Sequence, residues 1–140
     1  HAKGRPNRMY SKLEIVGISD LLDCIESTEA RQAFLLLITA LSGAISVSAT
    51  PGVHGFIKDF RVVQNSRNYF AFIPNKQWLL CYFRKPGFSD GMFQIDAILS
   101  HFPEAEKTKQ GEMKLKVSDY ETASRTAHYL SGCLGSPCGI

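Results

Sequence analysis

Ten of the fifteen aromatic residues lie between Phe56 and Phe93, interleaved with six basic residues, Lys58, Arg61, Arg67, Lys76, Arg84 and Lys85. Aromatic faces stack on nucleobases, and Lys or Arg neutralise phosphates, so a sheet presenting both is a natural platform for a single strand. Strand alternation divides such residues between a core face and a wet face, and most of these aromatics are expected in the core. Tyr69, Trp78 and Tyr82, each with a polar group, are the expected exposed ones. Lys58, Arg61, Lys76 and Arg84 are the expected phosphate contacts.

A second basic element sits at the start, where Lys3, Arg5, Arg8 and Lys12 occur with no acid in the first twelve residues. Lys3-Gly4-Arg5-Pro6 resembles an AT-hook, an extended motif that inserts Arg into the narrow minor groove, where negative potential is concentrated. An Ala2-Lys3 start replaces the Pro-Arg of a full hook. A third pattern is catalytic. Asp90 or Asp96 followed by Glu112-Met113-Lys114 is the minimal set of a restriction-type nuclease, with two carboxylates for a divalent metal and a lysine to position water. Glu112, Lys114 and Lys116 are also read as the wet face of an edge strand, where lysine discourages aggregation. Asp96 is expected on a helix, which does not suit a nuclease core.

Elsewhere the chemistry is sparse. His54, His101 and His128 are scattered, without the spacing of a nucleophilic triad. No phosphate-loop or dinucleotide fingerprint occurs. Cys24 and Cys81 fall in apolar patterns and are expected as core thiols, while Cys133 and Cys138 lack a second pair for a zinc site. No metal or cofactor is expected. Hydrophobic content of 44% and charged content of 21% in 140 residues fit one globular domain. Net charge is only +3, but it conceals a basic arm, an acidic stretch (Glu14, Asp20, Asp23, Glu26, Glu29) and a basic centre. The apolar run from Ala33 to Ala49 is broken by Ser, Thr and Gly and is too short for a bilayer, and no signal peptide is visible, so a cytoplasmic, non-membrane protein is expected.

These residues must be positioned by simple elements. A flexible arm (1–12) precedes one α+β domain (13–130) and a loose tail (131–140). Ser19 is a cap for a helix from Asp20 to about Glu26, and Ser27 or Thr28 caps a stronger helix to Ser42, with Phe34, Leu35, Leu37, Ile38 and Leu41 inward. Strands follow at Ile45–Thr50, His54–Val63, Tyr69–Ile73 and Gln77–Phe83, the last two joined at Pro74-Asn75-Lys76. Pro86-Gly87 and Asp90-Gly91 read as a loop. Met92 to Leu99 reads as a short helix ending before Pro103, and Glu112–Val117 as a final strand. Ser118, three residues before Glu121, starts a capping box for a helix to Leu130. The expected fold is an antiparallel sheet of four to five strands with helices packed on one face.

This order, with NYFAFIPNKQWLLCYFRKP followed by GEMKLKVSDYETA, resembles a small bacterial domain of unknown function often attached to restriction- or nuclease-type modules. The resemblance spans about Ala30 to Leu130 and implies a compact α+β fold and a nucleic-acid context; it implies no catalytic residues. Thr108-Lys109-Gln110-Gly111 stands where that family has a Trp-Gly turn. The leading expectation is thus a non-catalytic module with DNA or RNA as partner. The alternatives are the metal-dependent nuclease and a homodimer binding protein or a small ligand.

Overall fold

The computed structural model describes residues 22–52 and 55–135, and the side chains outside 46–58. The arm with Lys3, Arg5 and Arg8, the side chain of Lys58, His54 and Cys138 therefore lie outside the described residues. After a helical turn at 22–24 comes α1 (Thr28–Ala40), whose N-terminus is closed by Ser27 Oγ accepting from the Ala30 N–H at 3.1 Å. Its inward stripe is Ala30, Ala33, Phe34, Leu36, Leu37 and Ala40. Leu35, expected inside, stands 45% exposed, because the helical period turns it out between two inward neighbours. Cys24, expected in the core, is exposed; the helical turn ends there, and Ile25 is the residue that turns inward.

Six antiparallel strands form one sheet in the order β1-β2-β3-β4-β6-β5. They are β1 (Ile45–Gly52), β2 (Gly55–Gln64), β3 (Arg67–Pro74), β4 (Leu79–Phe83), β5 (Glu106–Lys107) and β6 (Met113–Val117). The sheet exceeds the expected four to five strands through the two-residue β5, which the polar composition of 104–111 conceals. Asn65 and Ser66 take φ of 54° and 65°, the two left-handed positions of a primed hairpin turn that matches strand twist.

Side-chain alternation across this register makes one face apolar. Phe60, Phe72, Cys81 and Leu115 lie in one cross-strand row, and Val62, Phe70, Phe83 and Met113 in the next; all are buried. Against these rows pack the described helices. Phe34 of α1 meets Phe60 edge-on at 5.2 Å, and Phe93 meets Phe83 perpendicularly at 5.3 Å. The last helix, α4 (Tyr120–Leu134), brings Tyr129 to within 6.0 Å of the Phe83 ring and packs along α1. The α+β class, with an antiparallel sheet, is as expected.

The helices depart locally from expectation. The segment expected as a loop after β4 forms a short helix, α2 (Lys85–Ser89), with Pro86 in its first turn, where a missing N–H costs nothing. A second short helix, α3 (Ile95–His101), starts later than its apolar pattern suggested. Helix α4 is capped by Asp119, not Ser118: the Asp119 carboxylate accepts from the Thr122 N–H at 2.8 Å. It also runs past Leu130 to Leu134, because Cys133 and Leu134 still pack on the core, and Gly135 ends it at φ 72°.

Gly87 fixes the crossing of α2 over the core, since a Cβ there would fall 2.3 Å from Phe93 Cδ2. Gly87→Ala is expected to lower stability by about 1–3 kcal/mol through this overpacking. Asp119→Ala is expected to cost about 1 kcal/mol through the lost cap. Urea unfolding of both variants checks the order, with Gly87→Ala at least as damaging.

Candidate functional site

Phe34, Phe93 and Tyr129 close over one face of the sheet. The residues of the opposite face follow from the same register. Arg61, Ala71, Tyr82, Lys114 and Glu106 form a row across β2, β3, β4, β6 and β5. Ile73, Leu80 and Lys116 form the next. The Arg84 N–H donates to the Tyr69 carbonyl at 2.9 Å, which extends the ladder one step and sets Arg84 beside Tyr82's row.

Trp78 lies just before β4, in the loop that joins it to β3. That loop is held at both sides: the Asn75 N–H donates to the Trp78 carbonyl at 2.8 Å. The Lys76 carbonyl accepts from the Glu26 and Ser27 N–H groups at 2.7 and 3.1 Å, which ties the loop to the start of α1. The half-buried indole lies under Lys116, whose Nζ is 4.1 Å from the ring centroid. Asn75, Trp78, Leu80, Lys114, Lys116, Glu104 and Glu106 line an open groove of about 580 Å³. Its floor is apolar, one wall is basic and the rim carries carboxylates.

The charges here are largely paired. Arg61 Nε is 3.1 Å from Asp59, Arg84 Nε 2.8 Å from Glu112, and Lys114 Nζ 3.7 Å from Glu106. The rim Glu104 reaches Arg125 at 3.8 Å. Lys116 has no carboxylate partner among the described residues and rests on the indole instead. The Lys114–Glu106 and Arg125–Glu104 pairs are exposed and worth at most about 1 kcal/mol each, whereas Asp59 and Glu112 are largely buried partners.

The structure thus brings Arg61, Trp78, Tyr82 and Arg84 to one face and adds Lys114 and Lys116. Lys76 sits in the adjoining loop, 76% exposed and 4.0 Å from Glu26. Tyr69, expected to be exposed, is only 6% exposed and donates its hydroxyl to Asp90 Oδ2 at 2.7 Å. Its polar group is satisfied by a residue 21 positions away, a partner that no local pattern announces. Lys116 was the residue missed. Its alternation with buried Leu115 and Val117 marked it as outward, but only the register placed it on Trp78.

The residues of the nuclease pattern have other partners. Asp90 receives two hydrogen bonds from Arg67, at 2.8 and 3.0 Å, besides that from Tyr69. Glu112 accepts from Arg84 Nε and from the Lys85 N–H at 3.1 Å. Asp96 lies in the first turn of α3 and is exposed. No group of three or more metal-ligating side chains occurs among the described residues. Cys81 is fully buried, and burial pushes its thiol far above the ordinary range.

Arg67's hydrogen bonds, then Tyr69's, hold the Asp90 carboxyl below its usual value. A carboxyl lowered in the folded state stabilises the fold above its unfolded pKa, and that contribution is lost as pH falls through the folded value. Stability is therefore expected to decline as pH drops below about 4. Asp90→Asn should flatten that decline, as measured by urea unfolding at successive pH values; an unchanged slope would remove the clamp as its cause.

No helix among the described residues is long and apolar enough to cross a membrane. No family model, curated protein or solved structure matches the chain, so the functional reading rests on this face.

Proposed function

We propose that the protein is a non-catalytic binding module and that the sheet face opposite the phenylalanine layer takes single-stranded nucleic acid. The observation that carries this reading is the Trp78 groove, where an indole floor and the ammonium groups of Lys114 and Lys116 occur together. A base can stack on the indole in place of Lys116, which then turns to the adjacent phosphate. Tyr82, one row along β4, offers a second ring, and Arg61 and Arg84 flank it. Base stacking of this kind is tolerant of sequence, so recognition of strandedness rather than of a particular sequence is expected. Arg67 and Arg84 already engage the carboxylates of Asp90 and Glu112, which a cleavage role would need for a metal.

Trp78 is the chain's single tryptophan, so its fluorescence reports on this groove directly. Oligothymidylate should quench it, and affinity should fall with added salt at a log–log slope of about −0.7 for each phosphate neutralised. Lys116→Ala should reduce that slope by about one such step. Trp78→Phe should retain part of the binding, and Trp78→Ala should cost about 1–3 kcal/mol, read by anisotropy of a labelled oligonucleotide. Binding that is indifferent to salt, or equal in Trp78→Ala and the parent, would overturn the proposal.

A further inference from the structure

A second cluster of polar side chains lies where the end of α3 meets α4. His101, Ser124, Arg125, His128 and Tyr129 line a shallow pocket of about 300 Å³. Ser124, Arg125 and His128 share one face of α4, being three and four residues apart. Arg125 is fixed in place: Nη1 donates to the His101 carbonyl at 2.9 Å, and the guanidinium lies 5.5 Å from the Phe102 ring centroid. Its side chain remains 41% exposed, and its charge is shared with Glu104 at 3.8 Å. The pocket is thus built on a held cation, with a hydroxyl and two imidazoles around it.

The protonation of His101 is constrained by geometry. Its Nδ1 is 2.9 Å from the Ala97 carbonyl, which can only accept, so Nδ1 carries the hydrogen. The neutral ring then presents a lone pair at Nε2, which repels an anion; the protonated ring presents a donor there. His101 also stacks on Tyr129, with ring centroids 4.7 Å apart. Tyr129 is half-buried and contributes a wall. The other charged groups around His101 are Arg125 and His128 on α4, Glu104 beyond α3, and Asp96 in the first turn of its own helix. His128 is exposed, and its ring has no hydrogen-bond partner among the described residues.

We propose that this pocket binds a phosphoryl group, held by Arg125, Ser124 and the protonated rings of His101 and His128, with uptake of protons on binding. An arginine with adjacent imidazolium and hydroxyl donors matches the three acceptor oxygens of a phosphate monoester. A divalent cation is disfavoured by the fixed guanidinium. The proposal goes beyond the sheet-face reading and stands independently of it, since none of its residues lines the Trp78 groove.

The test is a titration of the whole chain with inorganic phosphate and with sulfate, followed through the histidine C–H resonances in NMR spectra. Sulfate remains a dianion across the range used, so its pH dependence reports the protein's protons alone. Sulfate affinity should fall as pH rises, approaching about tenfold per pH unit for each proton taken up once the rings titrate. The resonances of His101 and His128 should move. His128→Gln, at an exposed position, should fold normally and weaken both anions severalfold, and His101→Gln should remove one ring's share of the pH dependence. A 5′-phosphorylated oligothymidylate that outcompetes its unphosphorylated counterpart would identify a nucleic-acid end as the source. Equal binding of the two, with displacement of sulfate by a sugar phosphate, would identify a free ester. Affinity independent of pH, or unchanged in both histidine variants, would overturn the proposal.

Discussion

Phe60, Phe70, Phe72 and Phe83 project from one side of three adjacent strands, where Phe34 and Phe93 close over them. Fully burying such a side chain contributes about 1.5–3 kcal/mol, and their edge-on contacts add specificity of geometry. The pleat couples them all. A slip of one residue between β3 and β4 would turn Phe70 and Phe72 outward together and bring Ala71 and Ile73 in. Register, the placement of α1 and α4, and the identity of the open face therefore all depend on this single ring-on-ring layer.

The open face is what that layer leaves over. Since Phe60, Phe70, Phe72 and Phe83 turn inward at alternate positions, the outward positions hold Arg61, Tyr82, Arg84 and the β6 lysines. Salt bridges moderate their charge, so the face is not a broad basic field that would steer nucleic acid from a distance. It is a local groove in which an indole, held by a loop anchored to the cap of α1, lies beside two ammonium groups. The Arg125–Glu104 pair stands between this groove and the histidine pocket and contributes a residue to each.

Much of the sheet was readable from the chain. Tyr69–Ile73 and Leu79–Phe83 are dense in strand formers, and Asn65-Ser66 ends β2 where the hairpin to β3 turns. What escaped reading depended on partners remote in sequence. Tyr69 carried the same polar group as Tyr82, but Asp90, 21 residues away, accepts its hydroxyl and leaves it little exposed. Pro86-Gly87 has loop composition, yet the proline suits a first helical turn and the glycine is required by Phe93. Lys116 read simply as solvated until the register set it over Trp78. Asp119 displaced Ser118 as the cap of α4 because an ionised carboxylate is the stronger acceptor for an N–H at a positive helix end.

The central claim is that the sheet face opposite the phenylalanine layer is the binding surface. Amide and side-chain NMR shifts during titration with a short single-stranded oligonucleotide test it most directly. The account predicts that shifts concentrate at Trp78, Leu80, Tyr82, Lys114 and Lys116, with α1 little changed. Shifts centred on α1 around the exposed Leu35, or an absence of shifts on β4 and β6 at saturating oligonucleotide, would contradict it.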